Sequence, residues 1–189
     1  MIDVGTGDGL FVHRYAREHP DRFVIGIDPI SRALAKISEK IHRKPAKGGL
    51  SNALFLQAAV EDLPVELEGL AMEVWVLFPW GSLLHAVATG APDRLGNLRR
   101  LCAPGALLRV VLAIDRERDR TELEGLGVEP PSLEMIDSVL TARYRSAGFE
   151  IVERGELPLA ERAKLQTTWS RKLGLREERP VLLIVARAV

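Results

Sequence analysis

Asp3-Val4-Gly5-Thr6-Gly7-Asp8-Gly9 is the stretch on which the fold turns. It stands between a strand stub, Met1-Ile2, and a helix predicted from Leu10 to about His19. Glycines at 5, 7 and 9 let the backbone turn sharply and let a ligand approach a helix N-terminus without interference from a Cβ. Nineteen residues beyond Gly9, Asp28 ends a second strand, Phe23–Ile27. In nucleotide-binding α/β folds an acidic residue at that strand end takes the two hydroxyls of a ribose.

Outward from this turn, strand-like and helix-like segments alternate, which predicts a mostly parallel sheet with helices packed on it. Ile30 to His42 reads as a helix, with Ile30, Leu34, Ile37 and Ile41 on one face, stopped by Pro45, Gly48 and Gly49. Ala53–Leu56 and Val74–Phe78 read as strands, and Trp75 within the second as a core residue. A helix over Pro92–Leu101 leads into a strand at Ala106–Leu112, and a charged connector spans Asp115–Pro131. Then come a helix at Leu133–Ala147, a strand at Phe149–Val152, a helix at Pro158–Leu173 and a closing strand at Val181–Val185. No linker or repeat interrupts the 189 residues, so a single domain over 1–189 is expected. Its first strand is truncated, because a central strand has about five residues; the chain is expected to start late.

Composition narrows the class. Apolar residues make up 47% and charged residues 28%, a globular balance that excludes a disordered chain. No apolar run reaches membrane-helix length and Met1-Ile2-Asp3 does not open a signal peptide. Cys102 is alone and His13, His19, His42 and His85 have no ligand spacing, so no metal is expected and a cytoplasmic setting fits. The 26 basic and 26 acidic residues cancel, which at face value argues against a polyanionic partner.

The ligand follows from the charges beside the glycines. Asp3 and Asp8 would repel a pyrophosphate but suit an ammonium and a sulfonium, which points to S-adenosylmethionine. Glu61 follows the third strand, where such a fold holds the adenine ring. Phe78-Pro79-Trp80-Gly81-Ser82 follows the fourth strand, at the edge where an open α/β sheet places its active site. Phe78 accepts no hydrogen bond, so this pocket is read as stacking a ring, with Trp80 as the platform. Trp169, in Gln166-Thr-Thr-Trp-Ser-Arg-Lys172, fits two readings: a buried stripe with Leu165 and Leu173, or a second stacking face with Arg171 and Lys172 gripping phosphate. Between Ser31 and Leu50 six basic residues (Arg32, Lys36, Lys40, Arg43, Lys44, Lys47) face a single acid, Glu39. A segregated basic face beside aromatic platforms is the footprint of a nucleic-acid reader.

Four segments resemble the Kam/Npm 16S rRNA methyltransferases of aminoglycoside resistance, in the same order: Asp3–Gly9, Lys44-Pro-Ala-Lys-Gly-Gly-Leu50, Pro79-Trp-Gly-Ser-Leu-Leu84 and Thr168-Trp-Ser-Arg-Lys-Leu173. The resemblance implies a class I S-adenosylmethionine-dependent, Rossmann-like fold, with a seven-stranded mostly parallel sheet and an antiparallel last strand. It implies methylation of ring N1 of adenine 1408 in the decoding site of the assembled 30S subunit. A monomer with no metal and no membrane contact is expected. Asp3, Gly5, Thr6, Gly7, Asp8, Gly9, Asp28, Pro29, Ala59, Glu61, Phe78 and Ser82 would then hold the cofactor, and Trp80 and Trp169 would sandwich the target base. Lys36, Lys40, Arg43, Lys44, Lys47, Arg171 and Lys172 would contact RNA. The family's N-terminal hairpin has no counterpart here. A methyltransferase acting on tRNA or a small molecule, and an inactive cofactor-binding remnant, are the alternative readings. Adenine N1 carries an in-plane lone pair, so no catalytic base is expected.

Overall fold

The computed structural model describes residues 1–162, 165, 167 and 179–189. Seven strands form one sheet: β1 (Ile2–Val4), β2 (Val24–Asp28), β3 (Ala53–Gln57), β4 (Ala71–Leu77), β5 (Cys102–Leu112), β6 (Phe149–Glu156) and β7 (Leu182–Ala188). Their order is β3-β2-β1-β4-β5-β7-β6. The pairings from β3 through β5 are parallel, and β7 runs antiparallel to both its neighbours. The strand order reverses between β1 and β4, the point where an open sheet leaves a crevice at its carboxyl edge.

β1 has three residues, as short as expected, and it lies inside the sheet between β2 and β4. Ile2, Asp3 and Val4 pair with Ile25, Gly26 and Ile27 of β2, and Ile2 and Asp3 also pair with Val74 and Trp75 of β4. The period-two pleat then sorts the side chains. Ile2, Val4, Val74, Val76, Leu108 and Val110 enter the main core with Leu84, Leu95 and Leu98, whereas Leu77 and Val111 join Phe11 on the opposite face. Trp75 corrects the core assignment: it is half-buried, with Arg109 over its ring at 5.5 Å and its indole N–H donating to Glu73 at 3.0 Å.

Helices α1 (Leu10–Glu18) and α2 (Ser31–Ile41) pack on one another and on β2 and β3. Leu34, Ile37 and Ile41 are buried, each contributing about 1.5–3 kcal/mol by burial. Ile30 departs from the expected stripe: it precedes the helix in an extended conformation and is 62% exposed. The Pro92–Leu101 helix (α4) forms as read. Helix α3 (Gly81–Thr89) was not anticipated, because Leu83, Leu84, Ala86, Val87 and Ala88 are buried nearly all round and leave no amphipathic period. The charged connector also holds a helix, α5 (Arg120–Leu126), which buries only Leu123 and ends at Gly127 with φ 63°. The Leu133–Ala147 helix is realised as α6 (Leu133–Met135), a π-helical turn (Ile136–Leu140) and α7 (Thr141–Ser146). The Thr141 hydroxyl donates to the Ile136 carbonyl at 2.9 Å within that wider turn. α8 (Leu159–Arg162) opens the expected last helix, whose remainder, with Trp169, Arg171 and Lys172, lies outside the described residues apart from Leu165 and Thr167.

Beyond the end of β5, Asp119 and Arg179 form a buried ion pair, 7% and 4% exposed. Arg179 Nη1 and Nη2 donate to the two Asp119 oxygens at 3.0 Å each, and Nη1 also to the Ala113 carbonyl at 2.6 Å. Removing one partner strands a buried charge, which costs about 3–5 kcal/mol, whereas an apolar replacement of both does not. Asp119→Ala is therefore expected to lose about that much in urea unfolding, and Asp119→Ala with Arg179→Met to regain most of it. Equal losses in the single and double variants would contradict this.

Candidate active site

The crevice at the β1–β4 reversal is a cleft of about 220 Å³. Gly5 and Gly7 from the turn after β1, Asp28 and Pro29 after β2, Ala59 and Glu61 after β3, and Phe78, Trp80 and Ser82 after β4 all line it. Nine residues read from four separate segments thus meet in one place. Ile30 and Leu83 line it too.

The turn is built as its glycines require, with φ of 78°, 60° and 69° at Gly5, Gly7 and Gly9. Gly5 and Thr6 both donate to the Ile27 carbonyl, at 2.8 and 3.0 Å, which docks the turn on β2. Asp28 completes the junction: Oδ2 accepts the Gly7 N–H at 2.8 Å and Oδ1 the Ile30 N–H at 2.9 Å. Gly9 also has a packing role. It does not line the cleft; a Cβ there would sit 2.8 Å from the Ile37 side chain and strike the Phe55 ring, so its absence lets α1 pack. Asp3, Thr6 and Asp8 are likewise set back from the cleft lining. Asp8 Oδ1 accepts the Leu10 N–H at 3.3 Å, at the start of α1.

Asp3 lies beneath the turn, 2% exposed, and its Oδ1 has no hydrogen-bond partner among the described residues. Burial pushes its carboxyl up to about 7, against an opposing effect of the Thr6 hydroxyl and with a smaller upward push from Asp28. Glu61 sits at the rim, 42% exposed. Its carboxyl is held below the ordinary value by the Ser82 hydroxyl and by Arg94, whose Nε donates to Glu61 Oε1 at 2.8 Å. Asn97, one turn on along α4, donates to the Val60 carbonyl at 2.9 Å. Sequence reading missed this brace, although Arg94 and Asn97, three apart on one helix, were the available signal.

Phe78 shapes the far wall. It is 3% exposed and adopts φ 50°, a left-handed conformation that a bulky residue adopts only when its surroundings hold it. Its N–H donates to Val111 at 2.8 Å, and the turn brings Trp80 to the cleft, half-buried against the main core. A cleft with a ribose-type acid after β2, a glycine turn after β1 and an orphaned buried carboxylate oxygen below it fits a cationic nucleoside. His13 and His85 lie away from this cleft, and no metal-holding group of His, Cys, Asp and Glu is found among the described residues.

The basic strip is also formed. Arg32, Lys36, Arg43, Lys44 and Lys47 are exposed and Lys40 half-buried, and among the described residues no ion pair engages any of them.

The fold and this cleft define a class I S-adenosylmethionine-dependent methyltransferase. The family model NpmA, 16S rRNA (adenine(1408)-N(1))-methyltransferase, matches residues 1–188. A 16S rRNA (adenine(1408)-N(1))-methyltransferase of Streptoalloteichus hindustanus is 38% identical over 180 residues, 95% of this chain and 82% of that protein. The crystal structure of the aminoglycoside resistance methyltransferase NpmB1 matches with TM-score 0.82 and 45% identity, over all of this chain and 86% of its own. A single-residue mutant of the corresponding Catenulisporales acidiphilia enzyme, solved with cosubstrate SAM, matches with TM-score 0.90 and 34% identity, over 100% and 84%. The chain belongs to the NpmA family of 16S rRNA (adenine(1408)-N(1))-methyltransferases.

The buried carboxyl gives a signed test. Between the ordinary 3.8 and about 7, folded Asp3 keeps a proton that the unfolded chain releases, so its contribution to stability falls as pH rises through that window. Asp3→Asn resembles the protonated form. Its melting temperature is expected to match the parent near pH 4 and exceed it by several degrees above pH 7; about 1 kcal/mol moves Tm by roughly 2–4 °C in a chain of this size. A pH-independent difference would contradict the assignment.

Proposed function

We propose that the chain methylates ring N1 of adenine 1408 in the 16S rRNA of the assembled 30S subunit and thereby confers aminoglycoside resistance, acting in the cytoplasm as a monomer and a single domain. The observation that carries the reading is the juxtaposition of the Gly5–Gly7–Asp28 junction with Trp80 in one cleft. Membership of a family with that activity supports it. None of the helices among the described residues is long and apolar enough to cross a membrane.

The cofactor supplies an electrophilic methyl on a sulfonium. Asp28 offers two carboxylate oxygens already aligned by the Gly7 and Ile30 amides for ribose hydroxyls, while Ala59 and Glu61 would border the adenine. Asp3, and Asp8 at the start of α1, would balance the positive charge of the methionine end.

A base inside an RNA helix must leave its stack before its N1 can meet a methyl donor. Trp80 provides one new stacking face, and Trp169, outside the described residues, is assigned the other. Base–aromatic stacking contributes about 1–3 kcal/mol per base and offsets the unstacking. The N1 lone pair would bond to the methyl carbon as the methyl–sulfur bond breaks and its electron pair leaves with the neutral thioether, so alignment replaces proton transfer as the main requirement. Methylation leaves the ring cationic, and an indole face stabilises a cation. The strip Lys36, Lys40, Arg43, Lys44 and Lys47 is assigned to the rRNA backbone, with Arg171 and Lys172 beyond the described residues.

The experiment is methylation of purified 30S subunits followed by reverse transcription. The parent chain should arrest the transcriptase beside adenine 1408. Trp80→Ala should lose about 10- to 100-fold in rate, the scale of one lost stacking face, while calorimetry shows unchanged S-adenosylmethionine affinity. Full activity in that variant would refute the stacking role.

A further inference from the structure

A second concave surface lies between α1 and the turn that follows α2. It is a cleft of about 460 Å³, lined by Arg17 of α1, by Arg43 and Pro45 beyond α2, and by Gly49, Ser51 and Asn52 before β3. No acidic residue lines it. Arg17 is exposed, and no ion pair or hydrogen bond among the described residues engages its guanidinium. Its neighbours on the helix differ: Arg14 faces Glu18 at 3.8 Å.

The walls are fixed by bonds that leave the arginines out. The Gly49 N–H donates to the Lys44 carbonyl at 3.2 Å, and a Cβ at Gly49 would collide with the Arg43 carbonyl, so only glycine closes this turn. His13, 5% exposed on α1, meets the Gly48 carbonyl through Nε2 at 3.1 Å and ties the turn to the helix. Asn52 donates to the carbonyls of Ala16, His19 and Arg22 at 2.9, 3.1 and 2.9 Å. Two of these bonds cap carbonyls at the end of α1, those of Ala16 and His19, where bare carbonyls repel an anion. Lys40 lies against Gly48 and Arg43 lines the cleft, so the basic strip reaches its edge.

We propose that this cleft is an rRNA phosphate subsite in which Arg17, from outside the basic strip of α2, grips the RNA backbone together with Arg43. The proposal rests on the 30S reading above. The occupant follows from charge and continuity: two guanidinium groups without a carboxylate, one of which, Arg43, belongs to the basic strip. A guanidinium fork matches a phosphate in two parallel hydrogen bonds. The pre-built walls mean that little ordering accompanies binding.

The test measures 30S affinity and methylation kinetics of the full chain across a series of potassium chloride concentrations. Arg17→Ala is expected to weaken 30S binding and raise KM for 30S several-fold. The slope of log affinity against log salt should fall by about one, as for a lost phosphate contact. Turnover at saturating 30S, S-adenosylmethionine affinity and Tm should stay unchanged. Arg17→Lys should restore the slope, because it restores the charge, but only part of the affinity, because an ammonium lacks the fork. Wild-type KM and slope in Arg17→Ala, while Lys44→Ala weakens binding, would overturn the subsite and leave the docking strip intact. A loss of turnover or Tm without a change in KM would also overturn it. If the parent chain neither binds nor methylates 30S subunits, the function itself fails, a distinguishable outcome.

Discussion

The two hydrogen bonds accepted by Asp28 hold the site together. One oxygen fixes the glycine turn after β1 through Gly7, and the other fixes the chain after β2 through Ile30. With β1 only three residues long, the ladder alone gives the turn little support. The carboxylate supplies what the short strand cannot, and charge-assisted bonds of this kind are about twice as strong as neutral ones. The same residue forms the wall of the cleft, so the anchor of the fold and the expected ribose site are one side chain.

That economy has an electrostatic cost. Asp3 and Asp28 are both buried beside the same turn; burial above all, and Asp28 to a smaller extent, push the Asp3 carboxyl up to about 7. Two acids in one low-dielectric corner make a site that a positive ligand relieves. Positive charge is placed elsewhere, on the outer face of α2, in the turn after it and at Arg17. Zero net charge therefore conceals an acidic interior corner and a basic exterior face, and the distribution decides the partner.

Much of this was legible in the sequence because it is local. The glycine turn, Asp28, Glu61 and Phe78-Pro79-Trp80 sit at strand ends, and alternating strands and helices bring strand ends together at one edge. What escaped was set by long-range contact. The packing role of Gly9 was hidden, because Phe55 and Ile37 come from remote segments. Helix α3 has no polar face to reveal its period, and Trp75 is a half-exposed wall where its strand position suggested core. The Asp119–Arg179 pair joins residues sixty apart, which no spacing rule connects. Arg17 belongs to the basic surface only because His13, Gly49 and Asn52 fold the α2 turn back onto α1.

The central claim is that the cleft delivers a methyl group to one ring nitrogen of one adenine. The most direct measurement is transfer of labelled methyl to 30S subunits carrying adenine or guanine at position 1408, with the modified nucleoside identified by mass spectrometry. The account predicts about one methyl per adenine-bearing subunit, recovered as 1-methyladenosine, and none on the guanine-bearing subunit. Equal labelling of the two subunits, or recovery of the methyl on the exocyclic amine, would contradict it.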